Sequence, residues 1–181
     1  IRQYGNMIRA ADTPADPYLN RRRICSLRLT SGKTAVHSDM LVWSKDETPQ
    51  GAALPILNVL FSTIQYSMIL QRVTPEHREV IQHWIKFSQE HRNALLKGDF
   101  TPHHPENGFS WVEGEDRKER IIACYAENAC VKTGKPDKSV YLVNGTGTSA
   151  MLVDFAAKPS KIEAFDVFGK SAGTLEAGEG L

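Results

Sequence analysis

Met7-Ile8-Arg9-Ala10-Ala11-Asp12-Thr13-Pro14-Ala15-Asp16-Pro17 opens, and Thr34-Ala35-Val36-His37-Ser38-Asp39-Met40-Leu41-Val42-Trp43 closes, the stretch whose reading decides the fold class. Each end is a short apolar run that stops at acidic residues. Strand, acidic loop, helix, strand, acidic loop is the order of a parallel α/β unit, whose functional groups sit just past the carboxyl ends of its strands. Between the two ends, Asp16-Pro17 supplies an N-cap and a proline at the first helical position. The helix is expected from Pro17 to about Leu29, stopped by Ser31-Gly32, with a strand over Ile24 to Leu29 as the alternative.

Downstream the same grammar repeats. Lys33 to Val42 reads as a buried strand. Thr48-Pro49 opens a very apolar helix, with Pro55 expected to bend it or mark its start. Ile64 to Leu70 follows as a short β-type run. Thr74-Pro75-Glu76 then starts a helix expected to reach Lys97, with Val80, Ile81, Trp84, Ile85 and Leu95 at helical spacing and Gly98 as its stop. Three parallel strands alone make a poor core with two exposed edges. The expectation for residues 1–100 is therefore the C-terminal part of a (β/α)8 barrel.

After Gly98 the character changes. Thr101-Pro102-His103-His104-Pro105-Glu106-Asn107-Gly108 has turn chemistry throughout and reads as a linker with solvated histidines. Short β-type runs follow at Phe109–Val112, Arg120–Ala126, Cys130–Lys132, Val140–Val143, Met151–Phe155 and Ile162–Phe168. Turns such as Gly134-Lys135-Pro136-Asp137 and Asn144-Gly145-Thr146-Gly147 separate them. This spacing predicts an antiparallel β-sandwich domain over residues 101–181. The whole is thus expected to be α/β plus all-β.

Composition removes several function classes. Twenty-two basic and 21 acidic residues leave a net charge of +1, which gives no electrostatic case for a nucleic-acid partner. The cluster Arg21-Arg22-Arg23 is expected on a solvated or salt-bridged helix face. No apolar run is long enough to span a bilayer. Cys25, Cys124 and Cys130 lack metal-ligand spacing. Cys124 and Cys130 lie in an expected hairpin, where a disulfide is the alternative to the expected buried free thiols. His77, His83 and His91 lack the i, i+4 spacing of metal ligands on one helix and are expected in surface or core roles. Neither a metal nor a cofactor is expected. The chain begins with Ile and reads as a piece of a longer protein, whose destination stays open, with the periplasm or the cell exterior favoured.

The acidic loop around Asp12, the segment Thr34 to Trp43, the apolar helix and Pro75-Glu76-His77-Arg78-Glu79 resemble the C-terminal part of melibiase-type α-galactosidases, glycoside hydrolase clan D. The resemblance runs from Ile1 to about Gly169. It implies a retaining mechanism carried by two aspartates at the mouth of a (β/α)8 barrel. By motif, Asp12 would be the general acid/base and Arg9 an arginine that orients nucleophile or sugar, although Arg9 lies three residues before the aspartate where several members have four. Asp39 matches the last aspartate of an Asn-Asp-Pro-Asp-type turn in relatives, with His37-Ser38 replacing the rest.

Retaining hydrolysis needs a carboxyl that gives and takes a proton and a second carboxylate about 5–5.5 Å away. No nucleophile is found upstream of Asp12. Asp16 is a helix cap, and Asp39 reads as a hydrogen-bonding carboxylate. The expectation is a C-terminal fragment of a retaining α-galactosidase, inactive alone, acting on terminal α-linked galactose of an oligosaccharide or glycoconjugate. Asp12 is the catalytic candidate, and Arg9, His37, Asp39 and Trp43 are the substrate-binding candidates. The parent is compatible with a homo-oligomer. The alternative is a non-catalytic carbohydrate-binding or interaction module resting on the β half.

Overall fold

A computed structural model describes residues 4–10, 12, 16–135 and 137–175. Ala11, Thr13, Pro14 and Ala15 of the quoted motif, Pro136 of one quoted turn, and the outermost residues of both expected domains lie outside the described residues.

The first half runs β1 (Met7–Arg9), α1 (Pro17–Ser31), β2 (Ala35–Leu41), α2 (Pro49–Asn58), β3 (Thr63–Tyr66) and α3 (Pro75–Glu90). All three helices begin on the same local device. The Asp16 side chain accepts from Leu19 N at 2.8 Å, Thr48 from Gly51 N at 3.0 Å and Thr74 from His77 N at 3.2 Å. Each cap satisfies an amide that has no partner in the first turn, and the proline behind it has no amide to satisfy. Pro55 is carried inside α2. Helix α3 stops seven residues short of Lys97, and the chain widens into a π turn at Asn93–Lys97 that buries Ala94 and Leu95.

β1, β2 and β3 form a three-stranded parallel sheet in that order. The second half runs β4 (Asp99–His103), β5 (Trp111–Glu115), β6 (Glu119–Cys124), β7 (Cys130–Lys132), β8 (Ser139–Asn144), β9 (Leu152–Asp154), β10 (Ile162–Phe165) and β11 (Ser171–Leu175). A four-stranded sheet has the order β4-β5-β6-β8, and two-stranded sheets pair β7 with β9 and β10 with β11.

This architecture corrects the expected fold class. The chain is a small mixed α/β domain with several small sheets, neither a barrel portion nor a barrel followed by an antiparallel sandwich. The parallel sheet stops at β1 on one side and β3 on the other among the described residues, so nothing closes it. The β half is not antiparallel throughout. β7 leaves the main sheet between β6 and β8, so β8 returns beside β6 in parallel, and β9 then pairs in parallel with β7. The expected Cys124–Cys130 hairpin disappears with that crossover. All three cysteines are free thiols, Cys25 and Cys124 buried and Cys130 exposed.

One hydrophobic core runs across both halves, joining Ile24, Leu41, Ile56, Leu60, Val80 and Leu95 to Val112, Ile121, Ala123 and Val143. Two arginines of α1 stitch the seam. Arg28 donates to Phe61 O at 3.0 Å and to Leu95 O, with its guanidinium 3.9 Å from the centre of the Phe100 ring. Its burial holds its pKa down to about 10. Arg21 is only 6% exposed, which corrects the expected solvated face. It donates to the Asn58 side chain and to Gly108 O, and lies 4.3 Å from the centre of the Tyr125 ring. Arg21 shares the inner face of α1 with Ile24 and Cys25, three and four residues on, so helical geometry turns it inward.

Gly114 fits the second sheet to the π turn. A Cβ there would meet Ala94 O at 2.5 Å. No helix among the described residues is long and apolar enough to cross a membrane.

Candidate functional site

The carboxyl end of β1 lies beside the middle of β2, with Arg9 paired to His37 and Ala10 N bonded to His37 O at 2.9 Å. Immediately beyond, β2 shifts register against β3 between His37 and Met40. The shift is built by short side chains. Ser38 donates to Asp39 O at 2.8 Å while its oxygen accepts from Gln65 N at 2.9 Å. Asn20, buried on α1, accepts from Asp39 N at 3.2 Å. An irregularity of this kind re-aims a side chain that strict alternation would point elsewhere.

Asp39 is the residue re-aimed. Its side chain is fully buried, accepts from Met40 N at 2.7 Å and receives the Arg9 guanidinium through Nε at 3.2 Å and through a second nitrogen. The same second nitrogen donates to Asp12 Oδ1 at 3.3 Å. Arg9 therefore links two carboxylates of opposite exposure, Asp39 at 0% and Asp12 at 87% of the side chain. The hydrogen bond to Asp39 raises the Arg9 pKa above its ordinary value, with the charge of Asp12 adding in the same direction.

His37 is half-buried and its Nδ1 lies 2.8 Å from Ser38 O. A carbonyl only accepts, so Nδ1 donates this bond. Trp43 belongs to a different group. Its indole N–H donates to His77 Nδ1 at 3.2 Å, and His77 Nε2 donates to Glu47 O at 2.9 Å. The two bonds fix the tautomer of a histidine that is 2% exposed. Trp43 and His77 border a small cavity of about 210 Å3 with Lys45, Met68 and Arg72.

Of the sequence candidates, the structure thus brings Arg9, Asp12 and Asp39 into contact. It sets His37 on the adjoining strand position and Trp43 on its own support. Asn20, Ser38 and His77 hold these groups; Asn20 had no signal in the sequence, and Ser38 and His77 stood in the quoted segments without their supporting roles being legible, since Gln65 and Trp43 lie on other elements. No group of three or more His, Cys, Asp or Glu side chains among the described residues could hold a metal. His91 pairs with Glu119 at 2.9 Å. His103 is not a solvated linker residue: it lies on β4, stacked on Trp111.

Comparison with protein-family models, with curated proteins and with solved structures finds no match to this chain.

Proposed function

We propose that this chain supplies the acid/base half of a retaining α-galactosidase, with Asp12 as the proton donor and acceptor. The observation that carries this reading is the tether: Asp12 stays open to solvent while Arg9 ties it to the wholly buried Asp39. A carboxyl that must protonate a leaving oxygen and then take a proton from water has to be reachable and held in place. Asp12 meets both requirements.

Asp39 suits the role of nucleophile poorly. It is close to Asp12, because one guanidinium nitrogen touches both, but its carboxylate is buried and occupied by Arg9 and Met40 N. An anomeric carbon has no approach to it. Asp39 is a positioning residue, and the nucleophile is assigned to sequence outside this chain. The substrate class is a terminal α-linked galactose on an oligosaccharide or glycoconjugate, with His37, paired to Arg9 across the sheet, as the neighbouring group for its hydroxyls.

The test is release of galactose from raffinose, and of nitrophenol from an aryl α-galactoside and its β-anomer, by the protein that carries this chain. Hydrolysis of the α-anomer, reduced about 10²–10⁴-fold for unactivated galactosides by Asp12→Asn, is expected. Hydrolysis undiminished by that change would dismiss the assignment.

A further inference from the structure

The four-stranded sheet has two faces. One faces the main core through Val112, Ile121 and Ala123. The other carries His103 opposite Trp111 on neighbouring strands and Glu115 opposite Arg120. With Lys132 of β7 beside them, these residues and Glu113 line an open cleft of about 480 Å3. Small-molecule sites typically measure about 300–1,000 Å3.

The polar groups of this cleft are already ordered. Arg120 Nε donates to Glu115 Oε2 at 2.6 Å, and Arg120 also reaches Thr133 O at 2.7 Å. His103 Nε2 lies 2.8 Å from Glu113 Oε1, and the second Glu113 oxygen is 3.9 Å from the Arg120 guanidinium. The His103 ring stacks flat on Trp111, centroids 3.5 Å apart and planes 7° from parallel. Arg120 and Glu113 keep only 17% and 18% of their side-chain surface. Partly desolvated ion pairs of this kind add little stability. Their place around open space, instead of within the core, points to a ligand.

The charge pattern narrows the ligand class. Glu113 and Glu115 offset Arg120 and Lys132, so an anion would meet two carboxylates and a cation two positive groups. A hydroxyl both donates and accepts, whereas a carboxylate only accepts and a guanidinium only donates. Adjacent hydroxyls on a ring can therefore bridge the two kinds of group, and the outer face of the His103 ring, backed by the buried Trp111, offers a flat surface to the ring's C–H face. We propose that this cleft binds a neutral saccharide. The proposal stands whether or not Asp12 performs glycoside chemistry, because the two sites lie on different sheets.

The test is titration of the full chain with raffinose, followed through the tryptophan indole N–H resonances. A saturable shift of the Trp111 signal is expected, and it should persist in Asp12→Asn. Glu113→Gln and His103→Ala should each weaken binding about tenfold or more, the loss expected for a hydrogen bond to a charged group. Thr101→Arg, an exposed residue of β4 on the same cleft, should block binding while leaving the core untouched. No saturable Trp111 shift, or one indifferent to Glu113→Gln and Thr101→Arg, would overturn the proposal. Tighter binding of glucuronate or glucosamine than of the neutral sugar would overturn it as well.

Discussion

Arg9 crosses from β1 to the buried carboxylate of Asp39, and in making that bond it comes into contact with Asp12. The pair is asymmetric: the Asp39 side chain has no exposure, whereas Arg9 keeps 45% of its side-chain surface. Arg9→Met would leave a buried carboxylate with Met40 N still donating to it but without its cation. Water can reach part of the vacated space, so the loss should match a charged hydrogen bond, about 1.5–3 kcal/mol, rather than a sealed ion pair. Urea denaturation measures it, and Arg9→Met combined with Asp39→Asn should cost less than the two single changes added together. Strict additivity would show that the two residues do not act as a unit.

The bond from Trp43 to His77 gives a second expectation. His77→Phe keeps a ring of similar size but removes both the acceptor for the Trp43 indole and the donor for Glu47 O. Stability should fall by about 1–3 kcal/mol, and the emission of Trp43 should shift as its indole loses a fixed partner. Trp84 and Trp111 in their native settings supply the constant background, which Trp43→Phe isolates. An unchanged spectrum and midpoint would mean that the histidine merely fills space.

Helix starts were legible in the sequence because a cap followed by proline acts within one turn. Asp16, Thr48 and Thr74 need nothing distant to do their work. Sheet membership was less legible. β4 hides behind the turn-like Thr101-Pro102-His103, yet Pro102 costs little there because β4 is an edge strand. β11 has every residue exposed, so no alternation announces it. The parallel return of β8 beside β6 depends on β7 leaving the sheet, which no local pattern encodes. At the site, the residue types Arg9, Asp12 and Asp39 could be read directly. The register shift that turns Asp39 inward could not, since it rests on Asn20 and Gln65 from other elements.

His83 on α3 supports the turn between β10 and β11. Gly169 closes that turn at φ +76° and packs so tightly that a Cβ would lie 2.2 Å from His83 Nδ1. Burial lowers the His83 pKa below its ordinary 6.5, with Asp166 and Glu90 opposing the shift and Lys86 adding to it. The unfolded chain therefore takes up the proton first as pH falls. The contribution is whole above about 6.5 and is lost as pH drops from there toward the folded value. Urea midpoints between pH 7.5 and 5 should fall more steeply for the native chain than for His83→Gln. Parallel curves would remove His83 from the account.

The thiols should separate by exposure. Cys130 is exposed, whereas burial pushes the Cys25 thiol up to about 12 and also raises Cys124. A thiolate is the reactive form, so one cysteine should react promptly with a disulfide reagent in the folded chain and all three after denaturation. Prompt reaction of none would indicate that Cys130 is covered or paired.

Asp12 can be tested by separating its two proton transfers. Asp12→Ala in the protein that carries this chain should slow hydrolysis least for substrates whose leaving group needs no proton. A dinitrophenolate departs unaided, so its first step should survive while unactivated galactosides lose about 10²–10⁴-fold, the usual worth of general acid–base assistance. The second step, attack of water on the glycosyl-enzyme, still lacks its base. Azide needs no deprotonation, so added azide should restore turnover and give a galactosyl azide of retained configuration. Asp39→Ala should behave differently: it frees Arg9 and loosens the tether, so the loss is smaller but still falls mainly on unactivated substrates, and azide adds little because Asp12 still supplies the base. Rescue at Asp39 instead of Asp12 would exchange the two assignments, and equal losses across leaving groups at Asp12 would place the proton donor on another residue.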